Sequence, residues 1–201
     1  MNINYNREME KVISDLKKTG QKPKLLLHAC CAPCSSSCIE RLKEHFDLTV
    51  YFYNPNMDSR EEYSLRANEQ KKLCEWFAVP LILEDYLSED FLSIAHGLEN
   101  EKEGGARCKK CFSLRLKKCA DYAKANGFEY FTTSLTVSPL KDVERLNVIG
   151  KSVGESVGVK FLPSDFKKKN GYARSIELSR ELNLYRQNYC GCVYSKTLLP
   201  Q

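Results

Sequence analysis

Five short apolar runs punctuate the chain, each set off by a longer stretch whose apolar residues recur at helical spacing. The runs are Lys24–Ala29 (KLLLHA), Leu48–Tyr53 (LTVYFY), Pro80–Leu83, Phe128–Thr133 and Val159–Leu162. Short, continuously apolar segments of this kind read as strands buried on both faces, as in parallel sheets. Between them the periodicity predicts helices over 3–19, with Ile3, Met9, Val12, Ile13 and Leu16 on one side and Gly20 as the stop. Further helices are expected over Ser35–Phe46, from an Asp58 cap to about Phe77, and over 88–97, 110–126, 142–153 and 172–183. Strands bounded by helices through short connections specify an α/β fold, a mostly parallel sheet with helices on both faces. At 201 residues the chain fits a single α/β domain, 1–201, long enough to bury a core without disulfides.

Ten cysteines therefore need another reason. The start, MNINYNRE, has no apolar leader, and no stretch approaches the roughly 20 apolar residues of a membrane span. The expectation is a cytoplasmic protein with no membrane partner, whose thiols stay reduced to bind metal or to cycle. Lysine and arginine outnumber the acids 31 to 26, a net charge of +5 that suits a polyanionic partner without demanding one.

Seven of the ten fall in three groups. His28-Ala-Cys30-Cys31-Ala-Pro-Cys34 follows the first strand directly, leading into a helix N-terminus that favours thiolate. Cys108-Lys-Lys-Cys111 is a CxxC pair behind the flexible Gly104-Gly105. Cys190-Gly-Cys192 is a CxC pair able to ligate metal or to form a readily reduced disulfide. Cys38, Cys74 and Cys119 read as core, and His28 as a hydrogen-bonded strand-end residue. Seven thiols overfill one tetrahedral zinc site, so an iron–sulfur cluster, alone or beside a second centre, is the first reading. Open parallel sheets bind ligands beyond the carboxyl ends of their strands, and the cysteine motifs fall at that edge. The segment 184–201 is expected to fold back on the metal site.

Five motifs occur in order: HACCAPCS at 28–35, FYNPNM at 52–57 with EEYSLR at 61–66, EGGARCKKCFSLRL at 103–116, SPLKD at 138–142, and GYARSIELSRELNLYRQNYCGCVYS at 171–195. The set resembles the QueH-type epoxyqueuosine reductases over most of the chain. The resemblance implies a HUP-like, nucleotide-binding-type architecture with cysteines where a phosphate loop would sit. It implies a cobalamin-independent oxidoreductase that converts epoxyqueuosine to queuosine at the wobble base of tRNA with a GUN anticodon. Cys30, Cys31, Cys108 and Cys111 would hold a [4Fe-4S] cluster. Cys190 and Cys192 would be a redox pair or, with Cys34, would bind a second, mononuclear iron or zinc.

Removing an epoxide oxygen takes two electrons and two protons, whereas a cluster passes one electron at a time. A dithiol beside the cluster, or a second metal polarising the oxygen, completes the count, and a low-potential electron donor must recharge it. Asp142, Tyr53 and Tyr185 are candidate proton donors. Asn54, Asn56, Ser138, Lys141 and Arg186 are candidate substrate contacts, although Asn54–Asn56 reads equally as a β-turn. Lys109 and Lys110, with Arg115, Lys117, Lys118 and Lys167–Lys169, are candidate phosphate contacts beside the ordinary reading of a solvated face. The rival classes are a zinc-stapled nucleic-acid-binding module and a metal-free thiol oxidoreductase.

Overall fold

Alternation along each central strand decides how the layers form. The computed structural model describes residues 3–196. In β1 (Lys24–His28), Leu25 and Leu27 enter one buried cluster while Leu26 enters another. In β2 (Asp47–Phe52), Val50 and Phe52 share the first cluster and Tyr51 the second. Period-two alternation of apolar side chains on both faces requires cover on both sides. One face is covered by α1 (Tyr5–Thr19), α2 (Ala32–Leu42), α3 (Arg60–Phe77) and α7 (Gly171–Glu181). The other is covered by α5 (Ala106–Ala125) and α6 (Val143–Val157), with α4 (Ser88–Ala95) against α5. Each fully buried leucine among these contributes about 1.5–3 kcal/mol.

β3 (Leu81–Leu83), β4 (Tyr130–Thr133) and β5 (Lys160–Phe161) complete a parallel sheet of order β3-β2-β1-β4-β5. The chain winds from β1 to β3 in one direction, then crosses to β4 and β5 on the other side of β1. Helices leaving β1 and β4 therefore diverge to opposite faces, opening a crevice beyond the register pair His28 and Thr133. α6 approaches β5 so closely that a Cβ on Gly150 would lie 2.4 Å from the Phe161 ring.

The expected fold class and the seven longer helices are present, with shifted ends. α2 begins at Ala32, three residues earlier than expected, because Cys31 is extended and Pro33 suits a first turn. The cap of α3 is Ser59, whose hydroxyl accepts from the Glu62 N–H at 3.1 Å, and not Asp58. α5 also begins early, so both CxxC cysteines lie inside the helix. Ile3 is half-exposed and not on the buried side of α1. Of the C-terminal segment, residues 184–196 are seen, including the short α8 (Val193–Lys196); 197–201 lie outside the described residues. No helix among the described residues is long and apolar enough to cross a membrane.

Candidate metal centre

The turn after β1 gathers three thiols. Ala29 is still held in the sheet by its N–H bond to the Tyr51 carbonyl at 2.9 Å. Cys30 and Cys31 then turn into α2, and Cys34 sits in its first turn. The Sγ atoms of Cys30, Cys31 and Cys34 all lie within 4.8 Å of one another, Cys30 and Cys31 at 3.8 Å. Cys30 is also fixed from the turn that follows β4: its N–H donates to Ser134 Oγ at 3.2 Å, and that hydroxyl lies 3.6 Å from the Cys30 sulfur. The two diverging strands thus meet at one residue. Three soft sulfur donors converging at a helix N-terminus fit a thiophilic metal or an iron–sulfur cluster.

Their protonation is interlocked. Cys30 is held well below the usual thiol range by S–H donation from Cys31 and Cys34, helped by Arg115 and Ser134. Burial pushes Cys31 up to about 12, and hydrogen bonding to Cys30 and Cys31 pushes Cys34 up as well.

The second group forms where the C-terminal segment reaches α5. Cys111 and Cys192 are buried together with Phe91 and Ala95. Cys190 feels both Cys192 and the Lys141 ammonium, and burial raises its pKa against the pull of that cation. Cys108 is one turn before Cys111, its sulfur accepting the Gly104 N–H at 3.2 Å. Residues 189–196 are tied down at Asp58. Its N–H donates to the Gly191 carbonyl at 2.8 Å, and its carboxylate accepts from Tyr189 Oη at 3.1 Å and Lys196 Nζ at 2.9 Å.

A cavity of about 410 Å³ opens between the groups, with Cys30, Cys34 and Cys190 in its wall. Arg66, Ser138, Lys141, Arg186 and Gln187 also line it. Lys141 Nζ is paired with Glu103 at 2.6 Å, its side chain only 9% exposed. Behind the thiols, Arg115 is buried at 1% exposure, with Nε 3.3 Å from His28 Nε2 and a terminal nitrogen on Asn54 Oδ1. His28 Nε2 lies within reach of both the Arg115 N–H and, at 3.3 Å, the Tyr53 carbonyl, while Nδ1 lies 3.0 Å from Thr133 Oγ1. Burial and that cation push the imidazole pKa down to about 3, keeping it neutral.

Of the expected site residues, Cys30, Cys34, Cys190, Ser138, Lys141 and Arg186 line the cavity. Several others do not. Asp142 caps α6, accepting from the Arg145 N–H at 3.0 Å, and Tyr53 donates to Asp90 at 2.6 Å with its hydroxyl pKa raised by burial and by that carboxylate. Tyr185 is part-exposed on the surface, its N–H donated to Glu69. Asn54 donates to the Ala29 carbonyl at 3.0 Å and begins a turn closed by Met57 N–H, which braces the cysteine turn, while Asn56 is buried outside the cavity. Lys109 and Lys110 line a separate surface groove with Lys117. Arg115, grouped above with phosphate contacts, is in the interior: it lies on the inward stripe of α5 with Cys111 and Cys119. Arg66, Glu103, Ser134 and Gln187 were not expected. Arg66, Glu103 and Gln187 stand inside the five motifs, but nothing local shows that they face a cavity.

The comparisons follow this geometry. The sequence model of the family described as "Epoxyqueuosine reductase QueH" matches residues 25–198. The chain is 42% identical over 201 residues to the "Epoxyqueuosine reductase QueH" of Staphylococcus epidermidis, covering 96% of this chain and 84% of that one. It is 36% identical to that of Thermotoga maritima, over 85% and 89% of the two chains. Among solved structures it resembles the "U34-tRNA thiolase NcsA from Methanococcus maripaludis with its [4Fe-4S] cluster", at a TM-score of 0.57, 16% identity, and 94% and 68% coverage. That likeness is one of fold. Matched along nearly its whole length, with its cysteine motifs gathered at one sheet edge, this chain belongs to the epoxyqueuosine reductase QueH family.

Proposed function

We propose that the protein reduces epoxyqueuosine to queuosine at the wobble position of a tRNA with a GUN anticodon, in the cytoplasm and without cobalamin. The observation that carries this reading is the convergence of Cys30, Cys34 and Cys190 on one cavity, in a chain of this family. The resemblance assigns a [4Fe-4S] cluster to Cys30, Cys31, Cys108 and Cys111. The contact of Cys111 with Cys192 supports a second centre alongside, made of Cys190 and Cys192 as a dithiol or of these with Cys34 around a mononuclear metal. A cluster there supplies electrons singly from a low-potential donor.

The dithiol closes the balance. Two thiols become one disulfide, releasing two electrons and two protons; both C–O bonds of the epoxide break, an alkene forms, and the oxygen leaves as water. Lys141 Nζ, paired with Glu103 in the cavity wall, would give the leaving oxygen its proton, whereas Asp142 is engaged as the cap of α6. The target base must leave the anticodon stack to reach these groups, and Arg186 and Ser138, which line the cavity, would contact it. Lys109, Lys110 and Lys117 would meet backbone phosphates farther out.

The test is anaerobic iron, sulfide and zinc analysis together with turnover of epoxyqueuosine-containing tRNA under a low-potential reductant. About four irons per chain are expected from a [4Fe-4S] cluster, more with a second iron. Cys31→Ala and Cys111→Ala should lose cluster iron, while Cys192→Ala should keep it and lose turnover. A colourless protein with one tightly bound zinc, unable to take up iron, would refute the reading.

A further inference from the structure

The buried cation behind the sulfurs has no carboxylate partner among the described residues. Among the described residues no carboxylate lies within ion-pair distance of Arg115. Its two hydrogen-bond acceptors, His28 Nε2 and Asn54 Oδ1, are both neutral. Removing a guanidinium from water costs several kcal/mol unless opposite charge compensates it. Yet Arg115 is among the largest fully buried side chains of the chain.

Its charge acts on sulfur. It sits one helical turn after Cys111 on the same buried stripe of α5 and acts electrostatically on Cys111, Cys30 and Cys190 alike. Those three sulfurs come from three separate elements: α5, the β1–α2 turn and the C-terminal segment. His28 and Asn54 take two of the five N–H groups and fix the plane of the fork. The bracing extends outward, since His28 is held by Thr133 of β4 and Asn54 by the Ala29 carbonyl.

We propose that Arg115 is the fixed countercharge of the cysteine centre, a positioning residue that holds one permanent positive charge beside Cys30, Cys111 and Cys190 and so favours the more reduced state of an iron–sulfur centre held there. The inference rests on the iron–sulfur reading above. Each reduction adds one electron from a low-potential donor, with no bond made or broken, and one unit of negative charge. Arginine is suited to the role because it stays charged in a buried site, and nearby positive charge raises a cluster's potential.

The experiment compares wild type, Arg115→Lys, Arg115→Gln and Asn54→Asp, prepared anaerobically. Iron and sulfide are counted first, and the midpoint potential is then read by spectroscopically monitored redox titration. Arg115→Gln should shift the oxidised-to-reduced ratio at least tenfold toward oxidised, a fall of about 59 mV for a one-electron couple. Arg115→Lys, keeping the charge, should recover at least half of the shift. Asn54→Asp gives the guanidinium a carboxylate of its own and should shift the potential in the same direction, which keeps the test decisive if Arg115→Gln does not fold. Unchanged potentials in the iron-loaded Arg115→Gln and Asn54→Asp proteins overturn the role of Arg115 and leave the iron–sulfur reading standing. A wild-type chain that takes up no iron overturns both.

Discussion

The main-chain N–H of Asp58 donates to the Gly191 carbonyl at 2.8 Å, which places the residue between Cys190 and Cys192 against the loop that follows β2. The Asp58 carboxylate adds Tyr189 and Lys196, and both Arg66 and Lys196 lie over the Tyr189 ring, at 5.1 and 5.5 Å from its centroid. Four residues from three parts of the chain thereby hold the CxC pair beside Cys111.

Asp58→Ala should release this segment first. Loss of the charge-assisted bond to Tyr189 costs about 1.5–3 kcal/mol, while the exposed Lys196 pair contributes little. Limited proteolysis should cut within 184–196 before the sheet is attacked, and Cys192 should become reactive to a thiol reagent. Cleavage at the wild-type rate would contradict the tether.

Gly191 has φ of 116°, and a Cβ there would lie 2.7 Å from Met57 Sδ and 3.2 Å from an Arg66 terminal nitrogen. Gly191→Ala therefore combines backbone strain with a clash, at a cost of about 1–3 kcal/mol. Urea unfolding measures the loss. The same variant should expose Cys192 as Asp58→Ala does, since both act on one turn.

Glu69 joins α3 to the start of the same segment, accepting the Tyr185 N–H at 2.9 Å and Lys72 Nζ at 2.7 Å. Burial opposes its ionisation, but the bonds from Lys72 and Tyr185 outweigh it, so it titrates below its ordinary value of 4.5. Because the folded value lies below the unfolded one, its stabilisation is complete above about pH 4.5 and is lost as pH falls through the folded value. The Glu69→Gln protein should lack this component of acid sensitivity, read as the pH dependence of cleavage within 184–196. An identical acid profile would remove Glu69 from the account.

Lys141→Met should leave iron content unchanged and reduce kcat about a hundredfold, the lower range for a lost proton donor, with KM little altered. Lys109→Glu with Lys110→Glu should do the opposite, weakening tRNA binding and flattening its salt dependence while single-turnover chemistry persists. If tRNA binding keeps its salt dependence after that reversal, those lysines are a solvated face.

The parallel α/β class was legible because fully buried strands cannot alternate with polar residues, and the three cysteine groups because metal ligands cluster in short motifs. Cys30, Cys31 and Cys34 lie within five positions, so one turn suffices to bring their sulfurs together. Helix starts were less legible at Ala32 and Ala106, where the cysteines themselves occupy cap and first-turn positions that carry no ordinary capping signal.

What residue order by itself determined is therefore the layering of the chain and the presence of thiol groups beyond strand ends, since both follow from periodicity over a few residues. Only the tertiary structure decided which groups meet. Arg115 and Lys109 belong to the same basic stretch of α5, yet one lies at 1% exposure among sulfurs and the other faces solvent, because helical twist turns residues six apart to different sides. Likewise Cys190 lies far along the chain from Cys30, and only the crossing of the chain from β3 to β4, with the hold of Asp58 on Gly191, sets both in one cavity wall.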